Sequence, residues 1–152
     1  MLVLWTIPFI LQMPIIIFDE WVFHVKRGLP KWERIGHPLD TLSVIIALSL
    51  PAFFSYSPPL LKVYIALSVF SCLMVTKDEW VHKHHCPAAE HWVHALLFLN
   101  HPILLTAGGF LWFSGLSWAA LFLKIQLGFA FIFMTYQVIY WNFYAKEAAD
   151  QQ

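Results

Sequence analysis

The sequence predicts an all-α integral membrane bundle of about five transmembrane helices. Three observations carry that expectation. Of the 152 residues, 60% are hydrophobic and 12% charged, whereas about a quarter of a soluble domain is charged. The apolar residues fall into five runs, each near the ~20 residues needed to cross ~30 Å of hydrocarbon. The breaks between runs carry helix-stopping residues: Gly28-Leu29-Pro30, Ser57-Pro58-Pro59, Cys86-Pro87 and Ser114-Gly115.

The first span begins with residues 2–18, apolar apart from Thr6 and Gln12, and continues through the stretch Asp19 to His24. It has no positively charged start and no small-residue cleavage site, so it reads as a retained helix and not as a secretory signal. Pro8 and Pro14 predict a kink, which membrane helices tolerate. The second span runs from about Leu39 to Tyr56 with Pro51 inside. The third runs from Leu60 to Thr76, with helix expected to continue through His85. The fourth covers about Ala89 to Phe113, and the fifth Trp118 to Tyr144, followed by a polar tail.

Residues 1–152 read as a single transmembrane domain with an internal repeat. The tetrapeptide Asp-Glu-Trp-Val stands at 19–22 and again at 78–81, and Glu-x-x-x-His at 33/37 and again at 90/94. The repeat units are 1–57 and 60–113, two hairpins of equal orientation related by an axis along the membrane normal, plus an extra C-terminal helix over 117–145.

Five spans place the connections 19–38 and 77–90, and the tail, on one side. That side carries Lys26, Arg27, Lys31, Arg34, Lys77, Lys83 and Lys146, against Lys62 and Lys124 opposite. The excess of Lys and Arg predicts that this side is cytoplasmic and the N-terminus outside. A four-span alternative, with residues 2–18 in the interface, moves the N-terminus but keeps both polar clusters together. The formal net charge of zero argues against a nucleic-acid partner, and two distant cysteines, Cys72 and Cys86, suggest no disulfide framework.

The chemistry is concentrated. Lys77 to His101 holds six of the eight histidines, and the other two, His24 and His37, lie in the poorer upstream copy. Residues four apart share a helix face, which pairs Glu20 with His24, Glu33 with His37, Asp78 with His82, and Glu90 with His94. His85 continues the Asp78/His82 stripe, Glu79 and His82 form the Glu-x-x-His spacing of di-iron helix bundles, and His91 lies three residues before His94. Taken singly, each group has a bland reading. Glu33 beside Arg34 fits a salt bridge or a helix N-terminal charge, His84 faces water, and Trp21, Trp80 and Trp92 fit interfacial anchors. What the bland reading leaves unexplained is the concentration of all the histidines with carboxylates at the ends of apolar helices, where unpaired charge is costly.

The expectation is therefore a dinuclear metal site at the cytoplasmic face, with ligands drawn from Glu20, His24, His37, Asp78, Glu79, His82, His85, Glu90, His91 and His94; the sequence does not say which carboxylate of each Asp-Glu-Trp run faces inward, Asp19 or Glu20 and Asp78 or Glu79. Imidazole and carboxylate together suit iron, manganese, zinc or copper. The His-x-His-His at 82–85 and His-x-x-His at 91–94 resemble the histidine boxes of the membrane-bound di-iron desaturase/hydroxylase family. The neighbouring carboxylates resemble those of ferritin-like and alternative-oxidase four-helix di-iron centres. The resemblance implies two irons, O2-dependent hydroxylation or desaturation of a lipid-like substrate, and electrons from an external donor protein. With no Rossmann or Fe–S motif in the chain, a donor must be separate, and Lys26, Arg27, Lys31 and Arg34 are candidates to meet an acidic one.

Two other classes use the same residues. A zinc-dependent membrane hydrolase would take Glu79 or Glu90 as general base. A metal or proton transporter would use the polar residues inside the spans, Gln12, Asn100, His101, Gln126, Gln137 and Asn142, whose plainer reading is interhelical hydrogen bonding. The small chain makes a homo-oligomer a further expectation.

Overall fold

The computed structural model describes residues 2–78 and 86–145, the Asp78 side chain aside. Every regular element among them is helical. Five helices are long and apolar enough to cross a membrane: α1 (Leu2–Arg27), α2 (Lys31–Phe53), α3 (Pro58–Val75), α4 (Ala88–Phe113) and α5 (Ser117–Tyr144). Beyond α3 the described chain ends in a short 3-10 turn, Thr76–Asp78. The expected helix through His85 lies outside the described residues.

Local chemistry explains the boundaries. Gly28 ends α1 at φ 77, a conformation open to glycine at little cost, and its N–H closes on His24 O at 2.8 Å. Pro30 then starts α2 eight residues before the sequence places a second span, because the polar segment Lys31–His37 is helical too. That segment is amphipathic in a demanding way: Lys31, Trp32 and Ile35 face outward, while Glu33, Arg34 and Gly36 are buried. Pro58 and Pro59 open α3 at positions where their missing N–H groups cost nothing.

Two turns depart from α geometry. Glu20–His24 in α1 and Tyr140–Tyr144 in α5 are π turns. Their signatures are the five-residue bonds from Val25 N–H to Glu20 O and from Ala145 N–H to Tyr140 O. Such turns occur frequently at functional sites.

The helix α2 packs most extensively on α5 and then on α3, while α1 lies along α4, which also touches α2, α3 and α5. The bundle has two unlike ends. One is a hydrocarbon core of Phe9, Leu48, Ala52, Tyr64, Leu105, Leu111 and Leu123. Here Tyr64 donates its hydroxyl to Leu105 O, against the bare backbone of Gly108. The other end buries Asp19, Glu20, His24, Glu33, Arg34, Glu90 and His94. Outward, Ile10, Ile46, Ile65, Leu99 and Ile132 expose about half or more of their surface. Apolar exposure on every helix suits hydrocarbon surroundings better than water.

Candidate metal centre

The polar end is built by α1 and α4. In an α-helix, residues five apart diverge by about 140°. The π turn closes that gap, so Asp19 and His24 meet, with His24 Nε2 3.3 Å from Asp19 Oδ2. From α4, Glu90 and His94 face the same point by ordinary four-residue spacing. His94 Nε2 lies 3.1 Å from Asp19 Oδ2 and 4.0 Å from Glu90 Oε1, and His24 Nε2 lies 3.5 Å from Glu90 Oε1. One ligand atom from each of these four buried residues fits within 4.8 Å of the other three.

A tetrahedral ion with bonds of about 2.0–2.1 Å separates its ligands by about 3.3–3.4 Å. The four measured edges bracket that value. Two nitrogens and two carboxylate oxygens can hold iron, manganese or zinc. Asp19 Oδ1, Glu90 Oε2 and His24 Nε2 are buried atoms with no hydrogen-bond partner among the described residues.

The surroundings fix His24. Its Nδ1 is 3.0 Å from Glu20 Oε2. Glu20 Oε1 accepts from Tyr136 Oη at 2.9 Å and from Trp141 Nε1 at 2.7 Å, both on α5. A carboxylate on Nδ1 keeps the proton there and leaves the Nε2 lone pair for the centre, the usual support for a metal-binding histidine. Arg27 stands on the other flank, donating to Glu33 Oε2 at 3.0 Å and Glu90 Oε1 at 2.9 Å. Arg34 is buried and donates through Nε to Leu29 O at 2.7 Å. Two of the four cations expected to face an acidic donor protein are thus turned inward, while Lys26 and Lys31 stay exposed. Beside Glu90, burial pushes the Cys86 thiol up to about 12, so it remains protonated at neutral pH.

Of the residues expected as ligands, His24, Glu90 and His94 converge, joined by Asp19. Glu20 lies one step back, on the far edge of His24. His37 lies beside His24, with ring centroids 5.0 Å apart and the rings tilted by 33°, and lines the cavity described below. His91 is half-buried on α4 and outside the converging group. Glu79, His82 and His85, with His84, lie outside the described residues, as does the Asp78 side chain. The sequence offered Asp19 only as the alternative to Glu20, and it did not single out Tyr136 or Trp141. Asp19 was legible only through its place in the repeated Asp-Glu-Trp-Val, and the two aromatics carry no signal of their own.

From the centre a cavity of about 180 Å³ runs into the bundle between α1, α2, α4 and α5. Near the centre its wall is Asp19, His24, His37 and His94; further in it is mostly apolar, with Phe9, Ile16, Leu48, Phe98 and Leu104. No protein-family model, curated protein or solved structure matches the chain.

Proposed function

We propose that this protein is a multi-pass membrane metalloenzyme that holds a divalent metal between Asp19, His24, Glu90 and His94 and oxidises an apolar, lipid-like substrate drawn into the adjoining cavity. The observation that carries the reading is the convergence of four ligand atoms from α1 and α4, with His24 Nε2 turned to the centre by Glu20. Charge supports it. The Oδ2 of Asp19 and the Oε1 of Glu90, both from buried carboxylates, stand 3.3 and 3.5 Å from His24 Nε2, and a divalent cation among them would offset their charge.

Iron with O2 is favoured by the donor set and by the apolar cavity, which suits C–H oxidation better than attack on a hydrated ester. The ligands proposed for a second iron are His82 and His85, in the histidine-box stretch. An external donor protein would supply electrons on the side carrying Lys26 and Lys31, taken as cytoplasmic by the positive-inside rule.

The test is elemental analysis of the purified protein beside His24→Ala, His94→Ala and His91→Ala. Iron at one or two per chain, lost in the first two variants and kept in the third, is expected. No metal after reconstitution with iron, zinc and manganese, or full metal in both His24→Ala and His94→Ala, overturns the reading. Zinc in place of iron moves the reaction to hydrolysis.

A further inference from the structure

The deep half of the cavity is not uniformly apolar. His101 lines it, two helical turns beyond His94 on α4, as do Gln12 of α1 and Gln126 of α5. His101 is 6% exposed. The hydrogen-bond directions around these groups can be worked out, because two chains of bonds end on backbone carbonyls, which only accept.

The first chain runs from His101 Nε2 to Ser71 Oγ at 3.0 Å, from there to Ser43 Oγ at 2.7 Å, and on to Asp40 O at 2.7 Å. Ser43 must spend its one proton on the carbonyl, since two oxygens that close without a proton between them would repel. Ser71 must then donate to Ser43. The remaining partner of Ser71, His101 Nε2, must carry the ring's proton. Nδ1 is therefore an acceptor, on a ring that lines the cavity.

The second chain starts at Asn100. Its Nδ2 donates to Pro8 O at 2.9 Å and to Gln12 Oε1 at 2.6 Å. The carbonyl fixes the amide's orientation, so Gln12 presents its oxygen to Asn100 and leaves its NH2 as a donor. The residues lining the deep cavity thus bring an acceptor on His101 and a donor on Gln12, with the Gln126 amide on the same lining. A hydroxyl group, which donates one hydrogen bond and accepts another, complements that set. An alkane leaves all of it unsatisfied, and an ether leaves the acceptor so.

We infer that the cavity binds an apolar molecule bearing a hydroxyl, the hydroxyl held on His101 Nδ1 and served by the Gln12 amide, with the apolar body reaching toward the cluster. Seven residues of helix rise separate His94 from His101, about 10 Å, so the anchored end lies that far from the group being oxidised. The inference names the substrate class of the proposed site and rests on that reading for its purpose, though its geometry is independent of any metal.

The experiment uses the full chain in lipid nanodiscs and a medium-chain primary alkanol carrying a diazirine. Photolabelling of the α1 and α4 peptides around Gln12 and His101 is read by mass spectrometry, in competition with the plain alkanol, its methyl ether and the matching alkane. The alkanol should protect roughly tenfold or more better than the ether or the alkane, the range expected when a buried polar group is left unsatisfied. In His101→Leu that preference should vanish. Gln12→Leu should weaken alkanol and ether alike, which keeps the test informative if His101→Leu fails to fold. Equal protection by alkane and alkanol, labelling elsewhere, or a preference that survives in His101→Leu overturns the inference. Metal content is measured on the same samples. Metal without alkanol selectivity defeats the subsite alone, and alkanol selectivity without metal leaves the subsite standing and defeats the metalloenzyme reading.

Discussion

Replacing Glu20 by Gln tests whether the group behind His24 serves the centre. Glu20 is 3% exposed and its two oxygens face three donors, on His24, Tyr136 and Trp141. An amide cannot serve all three. If its oxygen faces His24, its NH2 is driven against Trp141 and Tyr136. If its NH2 faces His24, the imidazole must shift its proton to Nε2, where the metal would bind. Loss of such outer support typically weakens metal binding roughly ten- to a hundredfold, or about 1.4–2.8 kcal/mol. The assay is chelator competition on purified protein, with thermal melting to confirm that the variant folds. Tighter binding, or binding indistinguishable from the parent in a folded Glu20→Gln protein, would refute the reasoning, because His24 would then need no fixed tautomer.

Two further outcomes follow from the geometry. Arg27→Met takes the guanidinium away from two buried carboxylates, Glu33 and Glu90. The cost should be about 3 kcal/mol, the low end for a broken buried pair, since the Arg27 side chain is 20% exposed. It is read as a fall in melting temperature in detergent, and an unchanged melting temperature defeats it. Gly108→Ala places a Cβ 2.8 Å from Tyr64 Oη and 3.0 Å from Leu48 Cδ2, an overpacking worth about 1–3 kcal/mol. Adding Tyr64→Phe should recover part of that loss in a double-mutant cycle, and strict additivity would show that the clash is relieved elsewhere.

The five helices were legible because hydrocarbon runs and proline or glycine breaks are local signals, and each span begins and ends near the residues that announce it. The start of α2 was the exception. Lys31–His37 is polar, so hydropathy stops short, yet its helix is set by burial of Glu33 and Arg34 against their partners. The candidate metal centre was legible at Glu90 and His94, where four-residue spacing is the true geometry. At Glu20 and His24 the same rule found a real pair but could not choose between Asp19 and Glu20 for the centre. A π turn brings Asp19 round to His24, and nothing in the residue pattern from 19 to 24 announces a five-residue bond. The C-terminal helix, read as an addition to two hairpins, supplies Tyr136 and Trp141 to the interior. These aromatics lie in a run so rich in their kind that neither stood out.

That last helix sets an order of events during synthesis. Until residues 136–141 have been made, Glu20 has His24 but lacks two of its three donors, so the first helix waits for the last. Asp19, His24, Glu90 and His94 have all been made once the fourth helix is complete, yet Glu20 still lacks the donors that hold it. Loading of the proposed ion would therefore be a late event, favoured once the fifth helix has packed against the first. A chain truncated before Tyr136 would carry every proposed ligand and still be poor at keeping its metal.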